Sequence, residues 1–264
     1  MGWFKFKNIQ MPKFVMLENE PSPLRFEQVT SIIDMPDNTP LVYQTKGFKS
    51  QTISLIIGFR PGVWDTAFMN QYSGANLTDA QYAAMNRHGI EQIQFDSVYN
   101  WLSGGGTLTF SNDSSRYYNA VCNVSIIPER ISRSLRKLNV QFTVMPFRYA
   151  LGETYQQLTL SGGKATVNYT GTYPSEPSIR VYGTGNLMIK VDGIEVNISD
   201  VSGFICVDVP TRRVYDRDKD DINRKVILNK TSGNFTDIRI RSGTVIEVNS
   251  AVTKVELLKN TRWR

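Results

Sequence analysis

The sequence predicts a mainly β protein with one or two helices: a first α+β domain with an antiparallel sheet, followed by a β-sandwich. Apolar and polar residues alternate over most segments, as in half-buried strands, and one segment carries a clear helical stripe. The segment Pro174-Ser-Glu-Pro177 then excludes helix, and the alternating run Ile179 to Val191 follows it. We therefore predict domains at residues 1–150 and 171–264, with a linker at residues 151–170.

Strands of the first domain are predicted wherever every second residue is apolar. Phe4, Phe6 and Ile9 form one half-buried strand in this reading, and Ile53 to Phe59 form another with clean alternation. Three later strands are expected at residues 107–110, 120–126 and 138–144.

Helices are predicted in the middle of the first domain. A short helix at residues 80–87 would be capped by Thr78 or Asp79 and ended by Gly89. A longer helix from Ile90 to Leu102 has its apolar residues on one face, and the three glycines at 104–106 would stop it.

The second domain shows short apolar runs separated by turns, with no helical pattern. Turn pairs such as Asp192-Gly193 and Ser242-Gly243 recur about every 8 to 12 residues, which indicates a sandwich or barrel. A final strand near Val255 and Leu257, ending at Trp263, would close it.

Composition favours a water-soluble globular protein without a nucleic-acid domain. The chain is 41% hydrophobic and 20% charged, and no window reaches the roughly 18 consecutive apolar residues of a membrane helix. The net charge of +6 divides equally between the two halves. We interpret the densest basic stretch, Arg130 to Lys137, as a hairpin tip or an inter-subunit loop. The start, Met1 to Ile9, lacks a signal-peptide core, so we expect folding in a cytoplasm.

Few residues of the sequence are candidates for catalysis or for binding a metal or a phosphate. His88 is the only histidine, and Cys122 and Cys206 lie in strand-like runs where cysteine usually serves as a small buried side chain. The three glycines at 104–106 follow a helix, whereas a phosphate-binding loop precedes one.

One acidic segment partly matches a calcium loop. Asp216, Asp218 and Asp220 stand at the first three ligand positions, but Asp221 replaces the glycine and Ile227 replaces the bidentate glutamate. A charged hairpin tip is the favoured interpretation. The sequence thus predicts no catalytic, cofactor or metal residues, and a protein that is not an enzyme.

The chain resembles the distal tail proteins of long-tailed, non-contractile phages of Gram-positive hosts, over nearly its whole length. Residues 60–88 match the family pattern least. The resemblance rests on the order and spacing of Trp101-Leu102, residues 107–110, 117–121 and 140–149, then residues 173–179, 183–185, 203–208, Val214-Tyr215, residues 233–235 and Arg262-Trp263.

The resemblance implies a virion structural protein at the tail tip, assembled in the host cytoplasm. It implies a homohexameric ring, built mainly by the first domain, that joins the tail tube protein to the baseplate or tail-tip hub protein. DNA would pass through a central opening without sequence-specific binding. The second domain would be a galectin-like β-sandwich that projects outward, and a receptor-binding protein is a further implied partner.

Two other considerations bear on function. The apolar segment Phe59 to Phe68 suggests an exposed patch that a partner subunit would cover. The alternative function is a carbohydrate-binding module for a host cell-wall saccharide. Galectin-type recognition uses a histidine and a stacking tryptophan. The second half has no histidine and only Trp263, so that type of binding is disfavoured, while another binding surface stays open.

Overall fold

The computed structural model describes residues 2–19, 28–33, 42–60, 62–123, 129–130 and 136–264. The chain forms two compact units, the first extending to Arg148 and including Arg264, the second spanning Tyr149–Trp263. The mainly β architecture predicted from the sequence is confirmed. No helix in the described part of the chain has the length and apolar character needed to cross a membrane.

The first unit is built on an antiparallel sheet with the strand order β2-β1-β7-β8-β10-β6-β3, with β9 beside β10. Strands β4 and β5 form a separate hairpin. The strands are β1 Phe4–Phe6, β2 Ile9–Gln10, β3 Val15–Leu17, β4 Gln28–Ile33, β5 Val42–Phe48, β6 Gln51–Phe59, β7 Gly104–Phe110, β8 Arg116–Asn123, β9 Glu129–Arg130 and β10 Arg136–Ala150.

The first predicted strand is in fact a hairpin. Lys7 and Asn8 both adopt left-handed backbone angles, with φ of 54° and 63°, and they separate β1 from β2. Two consecutive residues of this kind make the tight turn that suits the twist of paired strands. The single strand expected over residues 4–9 is therefore corrected.

Three helices occur in the described part of the first unit: α1 Thr66–Ser73, α2 Asp79–Ala84 and α3 Arg87–Leu102. Thr78 caps α2 as predicted, in a reciprocal pair with Gln81. Helix α3 starts three residues earlier than expected, because the Asn86 side chain accepts the Gly89 N–H at 2.8 Å. Gly89 therefore lies in the first turn of α3 and does not end the preceding helix.

The apolar patch expected between Phe59 and Phe68 is not exposed. Helix α1, which the sequence did not predict, carries Phe68 into the core, where its ring centroid lies 5.4 Å from that of Trp101. Phe59 is also buried, 4.4 Å from the ring centroid of Phe95. Both ends of the segment thus lie in the core of the first unit, and Val63 and Trp64 pack partly buried against that core, so the prediction of an exposed patch was wrong.

The three glycines at 104–106 belong to strand β7 and are not a helix stop. Helix α3 ends at Leu102, and the Ser103 N–H donates to the Tyr99 carbonyl oxygen at 3.0 Å. A Cβ on Gly106 would lie 2.6 Å from Lys7 Cγ and 3.3 Å from the Phe6 ring. Glycine at this position lets β7 lie close to the β1–β2 hairpin.

The second unit is a curled antiparallel sheet with the strand order β11-β18-β13-β14-β15. The long strand β13 pairs with β18 along its first half and with β17 along its second, and β12 and β16 pair with β17 and β14. The strands of this sheet are β11 Gln156–Gln157, β12 Lys164–Thr166, β13 Ser178–Val191, β14 Ile194–Asp208, β15 Arg213–Tyr215, β16 Thr231–Ser232, β17 Val245–Val248 and β18 Val252–Leu258; the short strand β19 Arg262–Trp263 follows and is not part of it.

Residues 151–170, predicted as a linker, contribute strands β11 and β12 to this sheet. Ala165, Val167 and Tyr169 are buried at every second position, which is the pattern of a half-buried strand. Their backbone and side chains are thus part of the second unit. The same alternation was present in the sequence, between the turn residues Gly162 and Gly171.

Candidate binding surfaces of the second unit

The residues considered for catalysis lie apart and are held in structural roles. His88 is exposed in the first turn of α3. Within the described residues no group of three or more His, Cys, Asp or Glu side chains could hold a metal ion. Cys122 and Cys206 are buried free thiols, and burial raises the pKa of Cys122 to about 12 and also raises that of Cys206. Thiols held in the neutral form are poor nucleophiles.

The acidic segment at 216–221 forms a loop whose carboxylates bind the protein itself. Asp218 pairs with the Arg180 guanidinium. Asp216 accepts the Lys225 N–H at 2.7 Å, and Asp221 accepts the Asn223 N–H at 2.7 Å. These bonds define a closed charged turn instead of a set of oxygens converging on one point, which agrees with the hairpin-tip interpretation.

Arg180 is the centre of a charged and aromatic cluster on the outer face of the sheet. Its neighbours Ile179 and Val181 point into the core, because successive side chains of β13 alternate. The Arg180 guanidinium lies 3.6 Å from the Tyr155 ring centroid and 3.4 Å from Glu256 Oε2. The cluster holds the acidic loop against β13 and β18.

The same face carries an aromatic pair beside this cluster. Tyr182 stacks on Phe204 with ring centroids 4.9 Å apart, and Lys254 Nζ lies 3.9 Å from the Tyr182 centroid. Lys254 also pairs with Glu256 at 2.8 Å, and this contact is the main cause of the lowered pKa of the Glu256 carboxyl. These side chains pair with one another, and the arrangement holds no nucleophile next to a base.

Asp208 holds the acidic loop against strand β14, a role that cannot be predicted from an acid within the apolar run Phe204 to Val209. The side chain is buried, and Ser178 Oγ and Thr211 Oγ1 each donate to its carboxylate at 2.5 Å. Lys219 Nζ, from the acidic loop, lies 3.9 Å away. A buried carboxylate with these donors fixes the loop to strand β14.

Clefts open on the surface of the second unit. One, of about 370 Å³, is lined by Tyr173, Arg239, Arg241 and Arg262 among others. Arg239 pairs with Glu176 at 2.9 Å, and Arg262 Nε donates to the Pro174 carbonyl oxygen at 2.6 Å. These two guanidinium groups therefore hold the segment Pro174-Ser-Glu-Pro177 in place.

The second cleft, of about 590 Å³, follows residues 200–205 of β14 and is closed on the other side by residues of the 216–230 segment. Val201 and Ile205 form part of its floor, and Ile227 lies on its far wall. The sequence does not predict this cleft, because the cleft depends on which strands pair with β14 and not on the amino-acid composition.

Trp263, the tryptophan considered for sugar stacking, is half-buried in the short strand β19. Most of the basic stretch Arg130 to Lys137 lies outside the described residues, so its interpretation as a hairpin tip or inter-subunit loop stays a prediction. On the outer face of the second unit, charged and aromatic side chains thus pair with one another.

The chain thus has a mainly β architecture of two units. The fold is similar to the crystal structure of the SPP1 Dit protein, described as a paradigm of the hub adsorption apparatus in phages that infect Gram-positive hosts. The TM-score is 0.60 at 12% identity, with 97% of this chain and 98% of that chain covered. A chain of the phage P2 baseplate in its activated conformation with Ca gives a TM-score of 0.50 at 9% identity, covering 100% of this chain and 98% of that one. No protein-family model and no curated protein matches the sequence. The fold class implied by the family resemblance is confirmed.

Proposed function

We propose that this protein is a structural distal tail protein of a phage that infects a Gram-positive host. One observation carries the proposal: the structural similarity to a phage hub protein extends over both units and nearly the full length of both chains. A shared single domain would support only a common building block. A shared pair of units in the same order supports a common structural role.

In this role six copies form a ring that joins the tail tube to the baseplate or tail-tip hub protein. The first unit builds the ring and leaves a central opening through which DNA passes. The galectin-like second unit projects outward and presents its surface to adsorption proteins, including a receptor-binding protein. The protein resides in the virion tail after assembly in the host cytoplasm, and its action is geometric, without an enzymatic step.

The exposed side chains of the first unit support a contact between subunits. Val121 of β8 and Met145 of β10, on neighbouring strands, are 40% and 46% exposed. The Asn123 side chain donates to Thr143 Oγ1 at 2.9 Å across the same two strands. Exposed apolar side chains on a sheet face are suited to a repeated interface between identical subunits.

Light scattering of the purified full chain, alone and after addition of tail tube or hub protein, tests the proposal. We expect a mass of six subunits in at least one of these conditions. A strict monomer that forms no assembly with either neighbour, and that instead binds cell-wall glycan, would contradict it and favour the carbohydrate-binding alternative.

A further inference from the structure

Strand β14 has an open edge in the middle of its length. On one side it pairs with β13 from Ile194 to Asp208. On the other side, β15 covers Cys206 to Asp208 and β16 covers only Asn197 and Ile198. Across the described part of the second unit, no strand pairs with residues 199–205 on that side. Residues 199–205 of β14 therefore form an unpaired edge, called the gap below, with β16 at one end and β15 at the other.

In this gap, the backbone N–H and C=O groups of every second residue point away from β13. The Val209 N–H donates to the Pro177 carbonyl oxygen at 3.2 Å, on the β13 side. Because the direction alternates along an antiparallel strand, Ser202 and Phe204 direct their N–H and C=O groups to the opposite side. Cys206 and Asp208 use that same side to pair with β15. Ser202 and Gly203 are exposed, so the groups can be reached.

The cleft of about 590 Å³ is the space beside this gap. At about 3.3 Å for each residue of a strand, the seven positions from Ser199 to Ile205 leave room for an extended segment of roughly four residues between the flanking strands. Unpaired edges of this kind are the sites at which proteins accept an added strand.

The side chains that line the cleft determine the polarity and the charge of a segment that can bind there. Val201 and Ile205 are buried beside the gap, so the side chains that turn inward should be apolar. Next to the cleft Arg217 lies 3.7 Å from Asp221, and Lys230 lies 4.0 Å from Asp200. Since these charges offset one another, the cleft favours a segment without net charge.

We propose that an extended, uncharged segment of a partner protein adds to β14 as a strand in this gap, with its backbone bound to Ser202 and Phe204. The β14 strand of a second copy cannot pair with this edge, because it is itself recessed between β15 and β16. A loop or terminal arm of another protein can enter. This proposal goes beyond ring formation and does not depend on it.

The test uses a display library of random peptides of about ten residues, selected against the full-length protein. Ser202→Pro removes the central N–H donor at an edge position where proline is tolerated, and Ser202→Ala is the matched control that keeps it. We expect enriched peptides with alternating apolar residues, at least tenfold weaker binding to S202P and unchanged binding to S202A.

A second measurement keeps the test valid if S202P is poorly folded. Selected peptides with alternate backbone amides methylated should lose binding to the wild-type protein, and the unmodified peptides should slow hydrogen exchange at Ser202 and Phe204. No enriched peptide, equal binding of methylated peptides, or protection elsewhere on the chain would each overturn the proposal.

Discussion

The side chain that contributes most to the first core is Trp101. It is fully buried, its ring centroid lies 5.4 Å from that of Phe4, and its Nε1–H donates to the Phe6 carbonyl oxygen at 3.2 Å. We expect Trp101→Ala to lower the free energy of unfolding of the first unit by about 3 to 5 kcal/mol, because a large cavity and an unpaired carbonyl remain. Hydrogen exchange of the strand amides measures this.

The matched control is Tyr99→Ala on the same helix, since Tyr99 is 48% exposed. This substitution should lower the free energy of unfolding of the first unit by less than about 1 kcal/mol. Equal losses in the two variants would show that Trp101 does not occupy the core position described above.

A second prediction at this scale concerns Asp208, whose polar side chain is buried. Asp208→Ala leaves the hydroxyls of Ser178 and Thr211 and the Lys219 ammonium without their shared partner. We expect a loss of about 2 kcal/mol or more in the unfolding free energy of the second unit, measured by denaturant titration. Asp220→Ala, at an exposed position of the same loop, should change it by less than about 0.5 kcal/mol. Similar values for the two would contradict an anchoring role.

Among the elements, the long strand β13 depends on a glycine. A Cβ on Gly183 would overlap the Ala251 carbonyl oxygen of the backbone, where β13 and β18 shift register. Gly183→Ala must therefore separate the two strands, and we expect a loss of at least about 2 kcal/mol in the unfolding free energy of the second unit.

The control for this prediction is Gly105→Ala in β7, where the new Cβ would lie 3.7 Å from Val121 Cγ2 in ordinary contact. Thermal unfolding of both variants gives the comparison. A G183A protein as stable as wild type would mean that β13 and β18 do not approach as closely as described.

The sequence predicts those elements whose signals are local. The capping pair Thr78 and Gln81 marks α2, and the alternation from Ile53 to Phe59 marks β6. Helix α1 was missed because its capping residue Asp65 follows a segment rich in Pro, Gly and aromatic residues, and its apolar side chains resemble an exposed patch until the sheet is in place. The open edge of β14 has no local signal at all, since it depends on where two other strands end.

At the scale of the whole molecule, the proposed ring requires an exposed contact on the first unit. Replacing Val121 and Met145 together with aspartate places two charges on neighbouring strands without removing a core side chain. We expect this double variant to remain folded and to lose ring formation. Leu151→Asp, a substitution of the same kind at a 42% exposed residue of the second unit, should assemble as wild type. Rings that persist in the double variant would exclude this contact.

The fold similarity to the SPP1 Dit protein covers both units, and the symmetry of the assembly is the most direct test of the function proposed from it. Electron microscopy of the purified full chain, with tail tube protein added where needed, should give averages with six-fold symmetry and an open centre. Particles that lack rotational symmetry, or rings with a closed centre, would contradict the proposal that this protein forms the connecting ring of a phage tail tip.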